Sequence, residues 1–225
     1  MTSAVRAYKG MGMEGSVARW YERTTRKDMA EIKALAARIA AIVPAGATVL
    51  EVAPGPGFLA IELAKRGLEV QAIDISRTFV EIARRNAASE GVDARFEQGN
   101  AAVLPVADAT LDFVVCRAAF KNFTEPVKAL SEMKRVLRTG GTALVIDMRR
   151  DVPVASLKEY VKRLGVSRLN RWFLMLVFRL MLIPRAYPLD EVRRMASSAG
   201  WTAPRIEISP LGFEAWMTKS MERFA

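Results

Sequence analysis

Apolar positions along the chain keep two rhythms in turn. Over 26–42 they recur every third or fourth residue, with Ile32, Leu35, Ala36, Ile39 and Val43 on one side, which predicts an amphipathic helix. Thr25 and Asp28 resemble a capping pair at its start, and Pro44-Ala45-Gly46 supplies its stop. Beyond it, short apolar runs predict strands at 48–52, 69–73, 94–97, 111–116 and 142–147. The runs between them, 59–66, 77–90 and 125–137, have helical spacing. Such alternation predicts an α/β fold, a parallel sheet with helices on both faces.

After residue 147 the rhythm changes. Three helical stretches follow one another at 154–164, 168–183 and 189–199, and strand-like runs at 204–208 and 213–217 close the chain. The first 25 residues, rich in Gly and Met and then aromatic, read as a mobile N-terminal arm. At 225 residues the chain suits one core rather than two. It divides into an arm and helix (1–45), a core (46–148), a helical cap (149–200) and closing strands (201–225).

Candidate chemistry gathers where the first strand meets the next helix, in Glu51-Val-Ala-Pro-Gly-Pro-Gly57. Small residues there let a ligand approach the backbone, and the helix start offers unsatisfied N–H groups. Asp74 ends the second strand, where a carboxylate can accept both hydroxyls of a ribose. These features alone leave two cofactor classes open. Gly55-x-Gly57-x-x-Ala60, with an acid 19 positions after Gly55, also satisfies the dinucleotide fingerprint of a nicotinamide dehydrogenase. Glu51 shifts the balance, because an acid just before the loop suits an ammonium group rather than a pyrophosphate. So do the linked runs Gly99-Asn-Ala-Ala-Val-Leu-Pro105, Leu111-Asp-Phe-Val-Val115, Lys121-Asn-Phe-Thr-Glu-Pro126 and Ala129 to Gly141.

In content and order, 49–147 resembles the class I S-adenosylmethionine-dependent methyltransferases, in particular the methyltransferase type 11 group that includes the ubiquinone/menaquinone C-methyltransferases. The resemblance implies a Rossmann-like sheet, mostly parallel with an antiparallel C-terminal strand and a helical insert after the fifth strand. It implies S-adenosyl-L-methionine as cofactor. Glu51, Ala53, Gly55 and Gly57 would line its methionine end, Asp74 would hold the ribose, and Ile75 would lie against the adenine. Asn100 and Ala101 would meet the adenine edge, and Arg117 would lie at the sulfonium end. Tyr21, in Ala18-Arg-Trp-Tyr-Glu22, resembles the N-terminal tyrosine that closes over the cofactor in many relatives; packing alone is the other reading.

Two positions depart from the group's pattern. Ala53 replaces a common glycine, a harmless change if its φ is negative. Asn100 replaces a common aspartate, and its carbonyl oxygen can still accept from an adenine amino group without the gain of charge. Gly99, Gly140 and Gly141 read as turn residues and Cys116 as a small core residue.

Composition narrows the chemistry further. The chain has no histidine and one cysteine, which excludes Ser-His-Asp and Cys-His machinery, disfavours a metal site and rules out an intrachain disulfide. A general base, where one is needed, comes from Asp147, Glu14 or a tyrosine such as Tyr8. The first 15 residues lack the apolar stretch of a signal peptide, so the expected location is cytoplasmic.

The formal charge of +10 points to an anionic partner or a merely basic surface. Between Arg149 and Arg194, 11 basic side chains face 4 acidic ones, a net +7. Within this insert Arg168, Arg171, Met175 and Arg179 share a narrow stripe on an otherwise apolar helix. It reads as a packing or homodimer face, as an apolar lid over the acceptor, or as an interfacial helix making peripheral membrane contact through 150–194. The expected acceptor is therefore a small molecule, apolar or aromatic and quinone-like, or lipidic. The alternatives are phospholipid headgroup N-methylation and cofactor binding without methyl transfer. A nucleic acid is disfavoured, because the basic residues are interleaved with aliphatic runs rather than stacking aromatics.

Overall fold

The computed structural model describes residues 8–9, 12–163, 165 and 167–220. The remainder of the expected arm and the expected helix end at Leu164 lie outside the described residues. Five strands are parallel: β1 (Thr48–Val52), β2 (Glu69–Asp74), β3 (Arg95–Gln98), β4 (Leu111–Arg117) and β5 (Leu137–Met148). β6 (Arg205–Ile208) and β7 (Gly212–Thr218) complete one sheet in the order β3-β2-β1-β4-β5-β7-β6, with β7 antiparallel to both neighbours.

Alternation along each strand sends side chains to two apolar layers. Leu50 and Val52 join the layer under α5 (Pro126–Val136) and α8 (Leu189–Ser198), with Met133, Val192 and Trp201. Val49 joins the opposite layer, under α2 (Met29–Ala40), α3 (Phe58–Ala64) and α4 (Arg77–Ser89), with Ile32, Leu63 and Val80. The predicted apolar side of the first long helix is the buried one: Ile32, Leu35, Ala36 and Ile39.

Three sequence expectations are corrected. A helix, α1 (Gly15–Thr25), replaces the part of the expected arm that adjoins the core. Its inward residues include Glu22 and Thr25 beside Ala18, so its periodicity is not apolar. Thr25 is therefore no cap; its hydroxyl donates to the Tyr21 carbonyl at 2.9 Å, and Asp28 makes no side-chain cap. Further on, α7 (Arg168–Val177) stops short of 183 and passes into a π-helical turn, Phe178–Leu182, then a 3₁₀ turn, Ile183–Arg185.

The direction of strand progression reverses between β1 and β4. Their carboxyl ends diverge into adjoining loops, and this switch point is where open α/β sheets form a ligand crevice. α6 (Val154–Arg163) and α7 pack against each other in the insert that follows β5.

Candidate functional site

Asp74 and the glycine loop are built as one unit. Asp74 is buried, with Oδ2 accepting the Gly55 N–H at 3.0 Å and Oδ1 accepting the Ser76 N–H at 2.8 Å. Burial pushes its carboxyl up to about 6, against the N–H groups of Ser76 and Gly55, which lower it. Gly57 is held at φ +80°, and a Cβ there would sit 2.8 Å from both the Ala83 methyl and the Phe96 ring. Ala53 lies at φ +58°, in the left-handed region. The expectation of a negative φ there is overturned: the loop needs a conformation natural to glycine and imposes it on alanine.

Glu51, next to last in β1, is turned into the layer under α3. Burial pushes its carboxyl up to about 8; the Ala60 N–H in the first turn of α3 and the Arg117 guanidinium oppose the rise. Its Oε2 is buried without a hydrogen-bond partner among the described residues. An unmatched acceptor of this kind is costly, and a cationic donor would relieve it. Arg117 ends β4 and lies 3.9 Å from Glu31.

Tyr21 comes to the loop from α1. Its ring lies 3.8 Å from the position of a Cβ on Gly55 and meets Phe79 edge-on at 5.7 Å between centroids. Ile75 follows Asp74 and remains 39% exposed, an apolar surface at the open edge. Asn100 Oδ1 accepts the Ala102 N–H at 2.9 Å, with Ala101 between them half-buried. That turn uses one lone pair of the oxygen and leaves the second available. The structure thus gathers Tyr21, Glu51, Ala53, Gly55, Gly57 and Asp74 around one loop, with Ile75, Asn100, Ala101 and Arg117 on neighbouring strand ends.

None of the expected bases is free to act as one. Asp147 accepts from Lys121 Nζ and the Lys121 N–H, both at 2.8 Å, and from the Met148 N–H at 2.7 Å. Glu14 accepts from the Arg77 and Thr78 N–H groups at 3.1 Å and from the Thr78 hydroxyl. Burial works against it, but the Thr78 contacts prevail and lower its carboxyl, so Glu14 serves the start of α4. Burial and then Tyr21 push the Tyr8 phenol up to about 12, so it stays protonated well beyond neutral pH and is a hydrogen-bond donor rather than a base. Cys116 is fully buried, and burial raises its thiol.

Tyr8 pairs with Phe123 across an isolated β-bridge, and Phe120 packs on Phe123 and Tyr187 at 5.8 and 5.6 Å between centroids. This aromatic group lies beyond β4, and its Tyr8 is close enough to Tyr21 and Asp74 to feel their charges. Arg149, just past β5, has a buried Nε without a partner among the described residues. In the sequence Arg149 stands out only as charge; its place just past the last strand of the parallel run is the signal that marks it. A surface cleft of about 550 Å³ beside Arg38, Arg205 and Trp216 shares no residue with this site.

Comparison with known proteins bears on the same segment. Residues 50–145 match the family described as a methyltransferase domain. These residues are similar to a methyltransferase domain. Over 101 residues the chain is 39% identical to the demethylmenaquinone methyltransferase of Deinococcus radiodurans, a match covering 44% of this chain and 42% of that protein. The chain thus matches less than half the length of that curated relative. In three dimensions a Methanococcus maripaludis structure superposes with a TM-score of 0.76 at 19% identity, covering 96% of this chain and 98% of that one. A SAM dependent methyltransferase from Aquifex aeolicus gives 0.62 at 22% identity, covering 85% and 98%. At such identities the likeness is one of fold. The matched segment carries Glu51 to Arg117; α1 and the basic cap lie outside it.

Proposed function

We propose that the protein transfers a methyl group from S-adenosyl-L-methionine to a small apolar, aromatic or quinone-like acceptor. The observation that carries the cofactor is the orphaned Oε2 of Glu51, buried beside the glycine loop. A ligand ending in an amino acid brings an ammonium that fits it; a pyrophosphate would be repelled. Asp74 keeps lone pairs for ribose hydroxyls after accepting from Gly55 and Ser76. Ile75 and Asn100 offer an apolar face and an acceptor to an adenine, and Tyr21 covers the loop.

The bound cofactor supplies an activated methyl group on a sulfonium. The chain's own part is to hold an acceptor in line and keep water out. Phe120, Phe123 and Tyr187 form an apolar aromatic wall suited to this. Arg149 Nε and the protonated Tyr8 phenol can donate to an oxygen on the acceptor. With Asp147 and Glu14 engaged elsewhere, the proton lost by the acceptor passes to water. The name of the Deinococcus radiodurans relative supports a quinone-like compound.

The test is transfer of labelled methyl from the cofactor to demethylated quinols and to vesicles of aminophospholipid. Label in the quinol is the expected result. Label in the headgroup favours N-methylation of lipid, and tight cofactor binding without transfer to any acceptor favours a binding protein.

A further inference from the structure

The outer face of α7 is apolar and open. Leu169, Trp172 and Phe173 are 75%, 65% and 57% exposed, and Leu176, Leu180 and Met181 continue the surface. No residue of α7 is buried. The side next to α6 packs: Phe178 meets Tyr160 of α6 edge-on at 5.9 Å, and Arg171, Met175 and the partly exposed Trp172 at the border of the two faces line a groove against Lys158, Val161 and Lys162. Arg171 and Met175 share the border of the groove next to α6. Arg168 and Arg179, three helical turns apart, remain exposed along one edge of the apolar face. Lys158, Lys162 and Arg163 are exposed on α6.

We propose that this face docks on an anionic lipid bilayer, with Trp172, Phe173 and Leu176 entering the headgroup region and Arg168 and Arg179 meeting lipid phosphates. An apolar helix face bordered by cations is the physical form of an interfacial helix. No helix of the described residues is long and apolar enough to cross a membrane, so the contact is peripheral. Charge selects the bilayer over a second copy of the chain. In a two-fold pairing the same patch meets itself, which brings the cationic edges of the two copies together. Three of the four acids in the insert already pair within it: Asp151 with Arg149, Glu159 with Arg163 and Asp190 with Arg194.

The docked face is the back of the cap. Tyr160, which holds α7 from beneath, lies close enough to Arg117 to feel its charge. Docking itself does not depend on methyl transfer.

The full chain is sedimented with vesicles of phosphatidylcholine alone and with phosphatidylglycerol added. Pelleting with the anionic vesicles only, weakening as salt rises, is expected, together with a blue shift of tryptophan emission. Arg168→Gln with Arg179→Gln should weaken association roughly tenfold or more. Trp172→Ser with Phe173→Ser and Leu176→Ser should abolish both association and shift. These residues are exposed, so an unchanged circular dichroism spectrum and melting temperature confirm the fold of each variant. Protein that stays in solution with anionic vesicles at low salt overturns the proposal. So does a dimer by light scattering that the triple variant breaks without any vesicle binding.

Discussion

Asp74 Oδ2 accepts the Gly55 N–H at 3.0 Å, so the acid that ends β2 also fixes the loop that follows β1. Replacing it removes a ribose acceptor and loosens the loop together. Asp74→Ala should weaken S-adenosylmethionine binding by about 2–3 kcal/mol, the range for charged hydrogen bonds. Equilibrium dialysis checks this, and unchanged affinity would remove Asp74 from the site.

Glu51 should govern how stability responds to pH near neutrality. Its folded carboxyl titrates at about 8, above its ordinary value of 4.5, so the folded state holds the extra proton between those limits. Stability therefore falls as pH rises toward 8, by up to about 1.4 kcal/mol per pH unit. Asp74, at about 6, adds the same sign only at lower pH. With no histidine in the chain, no imidazole titration masks the effect. Melting temperatures at pH 6, 7 and 8 should decline in the wild type and stay nearly level in Glu51→Gln.

Two neighbouring loop positions should respond oppositely to a methyl group. Gly57→Ala places a Cβ 2.8 Å from Ala83 and Phe96 at a positive φ, and should cost at least about 2 kcal/mol. Ala53→Gly relieves a left-handed alanine and should stabilise the fold by about 0.5–1 kcal/mol. Urea unfolding of the two variants measures both.

The buried pair Lys121–Asp147 should break unevenly. After Lys121→Met, Asp147 keeps the N–H groups of Lys121 and Met148 as donors. After Asp147→Leu, the buried ammonium keeps only the Ala118 carbonyl at 2.7 Å, and two N–H groups lose their acceptor. The second change should cost about 3–5 kcal/mol and the first distinctly less, measured by the same urea titration.

What was legible in the sequence follows from how local each signal is. Glu51, Gly55 and Asp74 stand at strand ends whose positions the apolar rhythm reveals, and the structure brings them to one loop. Ala53 gave no warning, because a left-handed alanine looks like any other. α1 was missed because its inward side carries Glu22, which pairs with Arg26 at 3.4 Å and Arg85 at 3.3 Å instead of presenting an apolar stripe. Asp147 reads as a plausible base in the sequence, but Lys121, 26 residues earlier, lies against it in the fold. Such partners are set by the sheet and are invisible to spacing.

The role of Glu51 toward the cofactor can be measured directly by titration calorimetry of S-adenosylmethionine at pH 7 in buffers of different ionisation enthalpy. A carboxyl that titrates at about 8 when empty and ionises against an ammonium must shed close to one proton on binding. The wild type should bind with that release, and Glu51→Gln should bind at least roughly tenfold more weakly with none. Binding of equal strength by both proteins, with the same proton count, would contradict the assignment of Glu51 and with it the cofactor site.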